Sequence, residues 1–150
     1  MSMEPETIFL AEDDDGHANL VQRNLDRAGL ANGFVRVHDG RELLDCLEAR
    51  ADPTGRPLDS ELVILLDINM PRIDGIEALR QIKANPQTQR IPVIMLTTTD
   101  DPREVNRCYE MGCNVYITKP VDYEGFIEAI RRLGLFLQVV KRPKSGWSSE

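Results

Sequence analysis

Apolar positions in this chain fall into five short runs of strand type that alternate with five of helical spacing. The strand-like runs are Thr7 to Ala11 (TIFLA), Gly33 to Val37 (GFVRV), Leu62 to Leu66 (LVILL), Val93 to Leu96 (VIML) and Asn114 to Thr118 (NVYIT). The third and fourth are continuously apolar, as strands covered on both faces are. Between them, Val21, Leu25 and Ala28 recur at helical spacing, as do Leu43 with Leu47, Ile76 with Leu79 and Ile82, and Val105 with Cys108 and Met111. Each helix then has one stripe to lay on a sheet. The alternation predicts an α/β fold, a parallel sheet with helices on both sides.

Punctuation along the chain agrees with this. Asp14 or Asp15 can begin the first helix, and Gly29 and Gly112 fall where helices should stop. Pro86 and Pro92 bracket the loop before the fourth strand, because proline lacks a backbone donor and disfavours helix in the residue before it. Ala49 to Glu61, with two prolines and a glycine, reads as a surface loop. Phe126, Ile130, Leu133 and Leu137 form a stripe for the last helix, yet Leu135, Phe136, Val139 and Val140 add apolar surface on another side. One face of one helix cannot bury both sets. The expected layout is a single domain over residues 1–150, with a core over about 6–133, a helical extension over about 134–143 and a flexible tail over 144–150.

Composition narrows the function. With 41% hydrophobic and 29% charged residues the chain has the balance of a soluble globular domain, and no apolar run reaches the length needed to cross a bilayer. Met1 to Glu6 is polar and acidic, unlike a secretory signal, so a cytoplasmic location with no membrane contact is expected. A formal charge of −7 argues against a nucleic-acid partner, whose phosphates require Lys and Arg. Cys46, Cys108 and Cys113 are odd in number, lie within apolar segments and read as buried small hydrophobes. His17 and His38 are too far from them in sequence to suggest a zinc site. The basic run Lys141, Arg142 and Lys144 reads as a solvated helix terminus.

Candidate chemistry gathers where the strands end, which is the functional edge of an open α/β sheet. The first strand runs into Glu12, Asp13, Asp14 and Asp15, the third into Asp67 and Asn69, the fourth into Thr97, Thr98 and Thr99, and the fifth into Lys119 and Pro120. Carboxylates about 5 Å apart repel by roughly 3 kcal/mol per pair at an effective dielectric of 20, so something positive must hold them together. An all-oxygen site suits Mg²⁺, and Lys119 adds a fixed ammonium. Asp67 is then a plausible nucleophile toward a phosphoryl group.

The segments FLAEDDD, LLDINMPRIDG, VIMLTT and YITKP, in this order on alternating strand ends, resemble the receiver domains of two-component response regulators. Within that family the chain is similar to the stand-alone receivers partnered with bacterial phytochrome histidine kinases. The resemblance implies a flavodoxin-like doubly wound (βα)5 fold with sheet order 2-1-3-4-5. It assigns Glu12 and Asp13 to the acidic pair, Asp67 to the phosphoacceptor, and the backbone carbonyl of Asn69 to the third protein ligand of Mg²⁺. Thr97 becomes the switch hydroxyl, Tyr116 the switch aromatic, and Lys119 the partner of the phosphoryl oxygens, with a cis peptide before Pro120. The run of three aspartates leaves Asp14 as a substitute for one of the acidic pair. MetPro at 70 and 71 and AspGly at 74 and 75 read mainly as turn chemistry.

The function implied is a signalling switch and not an enzyme acting on other substrates. A histidine kinase donates the phosphoryl group, a histidine phosphotransfer protein is a further implied partner, and output passes through protein contacts. Phosphorylation would draw in Thr97 and Lys119 and move Tyr116 inward, changing the face of the fourth helix, fifth strand and fifth helix. The surplus apolar residues of the C-terminal extension suggest a homodimer, the competing reading being that the extension folds back on its own domain. A haloacid-dehalogenase-like phosphatase, also built on an aspartate, Mg²⁺ and a lysine, is the alternative from another class. Its Asp-x-Asp-x-Thr pattern would put an aspartate where Asn69 stands. A nucleotide-binding module lacks both of its glycine-rich loops here.

Overall fold

The structure, a computed structural model, describes residues 6–27, 33–58, 61–97 and 101–118, together with Glu124 and Glu128. The elements are β1 (Glu6–Ala11), α1 (Asp15–Arg27), β2 (Gly33–Val37), α2 (Gly40–Ala49), β3 (Glu61–Leu66), α3 (Gly75–Ala84), β4 (Val93–Thr97), α4 (Pro102–Glu110) and β5 (Val115–Thr118). The strands form one sheet ordered β2-β1-β3-β4-β5, and every pairing is parallel. This is the flavodoxin-like order that the family resemblance implies. The expected strand ends need small corrections. β1 and β3 each begin one residue earlier, β4 takes in Thr97, and β5 starts at Val115 because the Asn114 side chain and amide both bond to Val93.

Strand alternation divides the core in two. Phe9, Ala11, Ile64, Leu66, Val93 and Met95 point to the side covered by α2, α3 and α4, while Ile8, Leu10, Val63, Leu65, Ile94 and Leu96 point to the side covered by α1. Leu43 and Leu47 of α2, Leu79 and Ile82 of α3, and Val21 and Leu25 of α1 complete these layers. Each such side chain, withdrawn from water, contributes about 1.5–3 kcal/mol. All three cysteines are free and buried, and burial pushes each thiol up to about 11.

Helix starts follow from short acidic caps. The Asp14 carboxylate accepts the His17 N–H at 2.9 Å, Asp39 accepts that of Glu42 at 2.8 Å, and Asp74 accepts that of Glu77 at 2.8 Å. Of the two residues considered for starting the first helix, Asp14 is therefore the cap. In the 51–57 loop Ala51 bridges Pro57, and the Asp52 carboxylate binds the amides of Thr54 and Arg56. Several expectations lie outside the described residues: Ala28, Gly29, the side chain of Thr97, Thr98 and Thr99, Lys119 with the cis peptide before Pro120, and everything beyond Glu128. Glu124 and Glu128, within the expected last helix, are helical and exposed.

Candidate functional site

The acidic crevice is a consequence of strand register. Ala11 pairs with Leu66 as the last registered pair of β1 and β3, so Glu12 and Asp67 follow side by side on adjacent strand ends. The ladder continues into them: the Asp67 N–H donates to the Ala11 carbonyl at 3.1 Å, and the Glu12 N–H donates to the Val37 carbonyl at 3.1 Å. Asp13 joins from the following turn. One carboxylate oxygen each from Glu12, Asp13 and Asp67 lie within 4.8 Å of one another.

The three differ in environment. Glu12 is 1% exposed and Asp67 6%, whereas Asp13 faces solvent. The Glu12 side chain accepts the Asp14 amide at 3.2 Å. Asp14 itself is exposed and engaged in capping α1, and it is not among the clustered carboxylates. At this spacing each ionised pair repels by about 3 kcal/mol at an effective dielectric of 20, which a divalent cation would relieve. A donor set made only of oxygens, two of the three carboxylates buried, fits a hard cation such as Mg²⁺.

The loop after β3 is shaped to present Asp67. The Gly75 N–H donates to the Ile68 carbonyl at 2.8 Å, and Ile68 and Met70 turn inward while Asn69 stays exposed. Gly75 does more than the turn chemistry read from the sequence. A β-carbon there would stand 2.2 Å from the Asp67 carbonyl oxygen, so only glycine admits the approach. The far side of the loop is tied to the start of α2. Gly40 donates to the Ile73 carbonyl at 3.1 Å, and the Arg72 guanidinium grips Asp39 at 2.9 and 3.2 Å. Arg72 holds a left-handed φ of 66° to do so.

Thr97 ends β4 opposite Thr118, at the same sheet edge. Tyr116 is half-buried against the α2–α4 side of the core, and its N–H donates to the Tyr109 hydroxyl at 3.0 Å. Sequence reasoning missed Arg36, whose guanidinium reaches from β2 to the turn bearing the acids. An arginine inside the otherwise apolar run GFVRV was the available signal. It also missed the Arg72–Asp39 pair, which no local pattern announces across 33 residues.

The response regulator receiver domain family matches residues 8–131. Among solved structures, a response regulator receiver domain from Rhodospirillum rubrum is 47% identical, with a TM-score of 0.81 over 93% of this chain and 98% of that one. The response regulator Rcp1 of Synechocystis is 32% identical over 93% of this chain and 94% of its own length. The crystal structure of the Mn²⁺-bound form of Rcp1 superposes with a TM-score of 0.79. The bacteriophytochrome response regulator RtBRR is 36% identical, with a TM-score of 0.70 over 98% of this chain and 88% of that one.

Proposed function

Because the chain belongs to the response regulator receiver domain family, we propose that it is a phosphorylation switch whose phosphoacceptor is Asp67. The observation that carries this reading is the meeting of Glu12, Asp13 and Asp67 within 4.8 Å at the sheet edge. A phosphatase of the haloacid-dehalogenase type gains no support from the family match over 8–131.

In the proposed reaction a carboxylate oxygen of Asp67 attacks the phosphorus of a kinase phosphohistidine. The P–N bond breaks, an O–P bond forms, and Asp67 becomes an acyl phosphate that water later hydrolyses. Glu12, Asp13, Asp67 and the Asn69 carbonyl would hold Mg²⁺, which neutralises the charge gathered around the transferring group. Asp67 is 6% exposed, and the ladder bond from its N–H to the Ala11 carbonyl fixes the strand end that carries the carboxylate. Thr97 and Lys119 take the roles of phosphoryl contacts, and Tyr116 that of the switch aromatic, on the strength of their matching motif positions.

Similarity to RtBRR, named a bacteriophytochrome response regulator, supports a phytochrome-type histidine kinase as donor. A formal charge of −7 over these 150 residues favours protein partners over nucleic acid. No helix among the described residues is long and apolar enough to cross a membrane. The surplus apolar residues Leu135, Phe136, Val139 and Val140 support a homodimer. Sedimentation of the full chain against one truncated after Leu133 tests that assembly, and equal monomeric masses would reject it.

The decisive experiment treats the chain with acetyl phosphate and Mg²⁺ and follows the phosphorylated species by mass spectrometry. Wild type should gain one alkali-labile phosphoryl group and Asp67→Asn none. Uptake by Asp67→Asn at the wild-type rate would reject the assignment.

A further inference from the structure

β1 outruns its neighbour at the acidic end. Ala11 and Val37 are the last registered pair of β1 and β2, and the Glu12 N–H still finds the Val37 carbonyl. The Glu12 carbonyl would next meet a β2 amide, but beyond Val37 the chain turns into α2 at its Asp39 cap. Arg36 supplies the missing donors. Its Nε and one terminal nitrogen donate to the Glu12 carbonyl at 2.9 and 2.6 Å, and the other terminal nitrogen donates to the Asp15 carboxylate at 2.8 Å. The guanidinium is largely buried, with 19% of the side chain exposed, and its planar fork matches two acceptors held at different points of the turn.

The two anchor points flank Asp13. Glu12 precedes it and Asp15 follows it by two residues, so one guanidinium fastens the turn on both sides of the exposed member of the carboxylate cluster. We infer that Arg36 is a positioning residue for divalent-cation binding, holding the β1–α1 turn so that Asp13 stands over Glu12 and Asp67. This rests on the reading of the cluster as a cation site.

The sign of the effect separates positioning from mere charge. A guanidinium bound to the turn that carries the cluster repels an incoming cation, so if charge were its only contribution, removing it would tighten metal binding. If it positions the turn, removing it loosens Asp13 and weakens binding despite the more negative crevice. Residues behind metal ligands commonly shift metal affinity by 10–100-fold, and the opposing charge effect places the expected loss for Arg36→Met at about tenfold.

The test is Mn²⁺ titration of the full chain followed by electron paramagnetic resonance, with far-UV circular dichroism as a check of folding. Wild type should bind most tightly and Arg36→Met about tenfold more weakly. Asp15→Ala removes one anchor at a side chain that is 82% exposed, next to the intact Asp14 cap, and should fold normally and lose less affinity. Arg36→Lys, unable to span both acceptors, should fail to restore wild-type affinity. Should Arg36→Met not fold, Arg36→Lys, which keeps the charge and loses the two-point grip, carries the comparison, and weaker binding by it supports positioning. Wild-type or tighter Mn²⁺ binding in the folded variants overturns the inference while leaving the cation site standing. A wild-type chain that takes up no Mn²⁺ overturns both.

Discussion

The Asp67 carbonyl oxygen lies so close to the Gly75 α-carbon that any β-carbon at residue 75 would come within 2.2 Å of it. The same β-carbon would stand 2.7 Å from the Ile68 α-carbon, so the obstacle is backbone and cannot rotate away. Gly75→Ala should therefore push the loop off α3 and destabilise the fold by about 1–3 kcal/mol. Phosphoryl uptake at Asp67 should fall with it. Urea unfolding together with acetyl phosphate labelling checks both, and an Ala variant equal to wild type in each would contradict the close approach.

Repulsion within the cluster predicts opposite effects of one substitution in two buffers. Asp13 faces solvent, which screens its share of the repulsion, so Asp13→Asn should stabilise the chain in EDTA by about 1 kcal/mol. In Mg²⁺ the order should reverse, because wild type gains binding energy that the variant lacks. Thermal unfolding in the two buffers reads this directly. Equal responses to Mg²⁺ in both proteins would remove Asp13 from the site.

Asp39 links the loop after β3 to α2 and should make that link pH-dependent. Burial draws its carboxyl upward, but the Arg72 guanidinium and the Glu42 and Arg41 amides outweigh burial and hold it below its ordinary 3.8. A carboxyl depressed in the folded state adds stability above its ordinary value, and that stability is lost as pH falls through the folded one. Asn is also a good helix cap, so Asp39→Asn isolates the ion pair. Arg72 is largely exposed, which limits the expected deficit of the variant at pH 7 to about 1 kcal/mol. That deficit should shrink as pH falls below the ordinary 3.8 and through the lower value of the folded Asp39 carboxyl. Urea unfolding across this range measures it, and a deficit that does not change with pH would count against the pair.

The thiols should be inert until the chain unfolds. Cys46, Cys108 and Cys113 are buried, and burial, with Glu42 and Glu104 adding to it at the first two, pushes each up to about 11. At pH 8 only about one thiol in a thousand is then ionised. Iodoacetamide should label none of them quickly in native buffer and all three in guanidinium. Rapid native labelling of any one would show that its segment opens.

Much of the fold was legible because its signals are local. Strand residues Val63 to Leu66 and Val93 to Leu96 are apolar without a break because α/β layers cover both faces of the sheet. The caps Asp14, Asp39 and Asp74 act within three residues of themselves. Where a signal was ambiguous at the local level, as with the consecutive residues Asp13, Asp14 and Asp15, side-chain geometry distinguished a clustered carboxylate from a helix cap and from an anchor for Arg36. The second role of Gly75 was hidden because the atom it makes room for belongs to a residue eight positions earlier.

The sequence by itself determined the layer architecture, the strand ends that carry acids, and the candidate phosphoacceptor at Asp67, since periodicity and strand-end chemistry are written over a few neighbouring residues. Only the tertiary structure decided that Glu12, Asp13 and Asp67 meet within 4.8 Å, that Arg36 fastens the turn between two of its acids, and that Arg72 ties the loop after β3 to α2. Those contacts join residues 21 to 55 positions apart, and the register of parallel strands, a cooperative property of the whole sheet, brings them together.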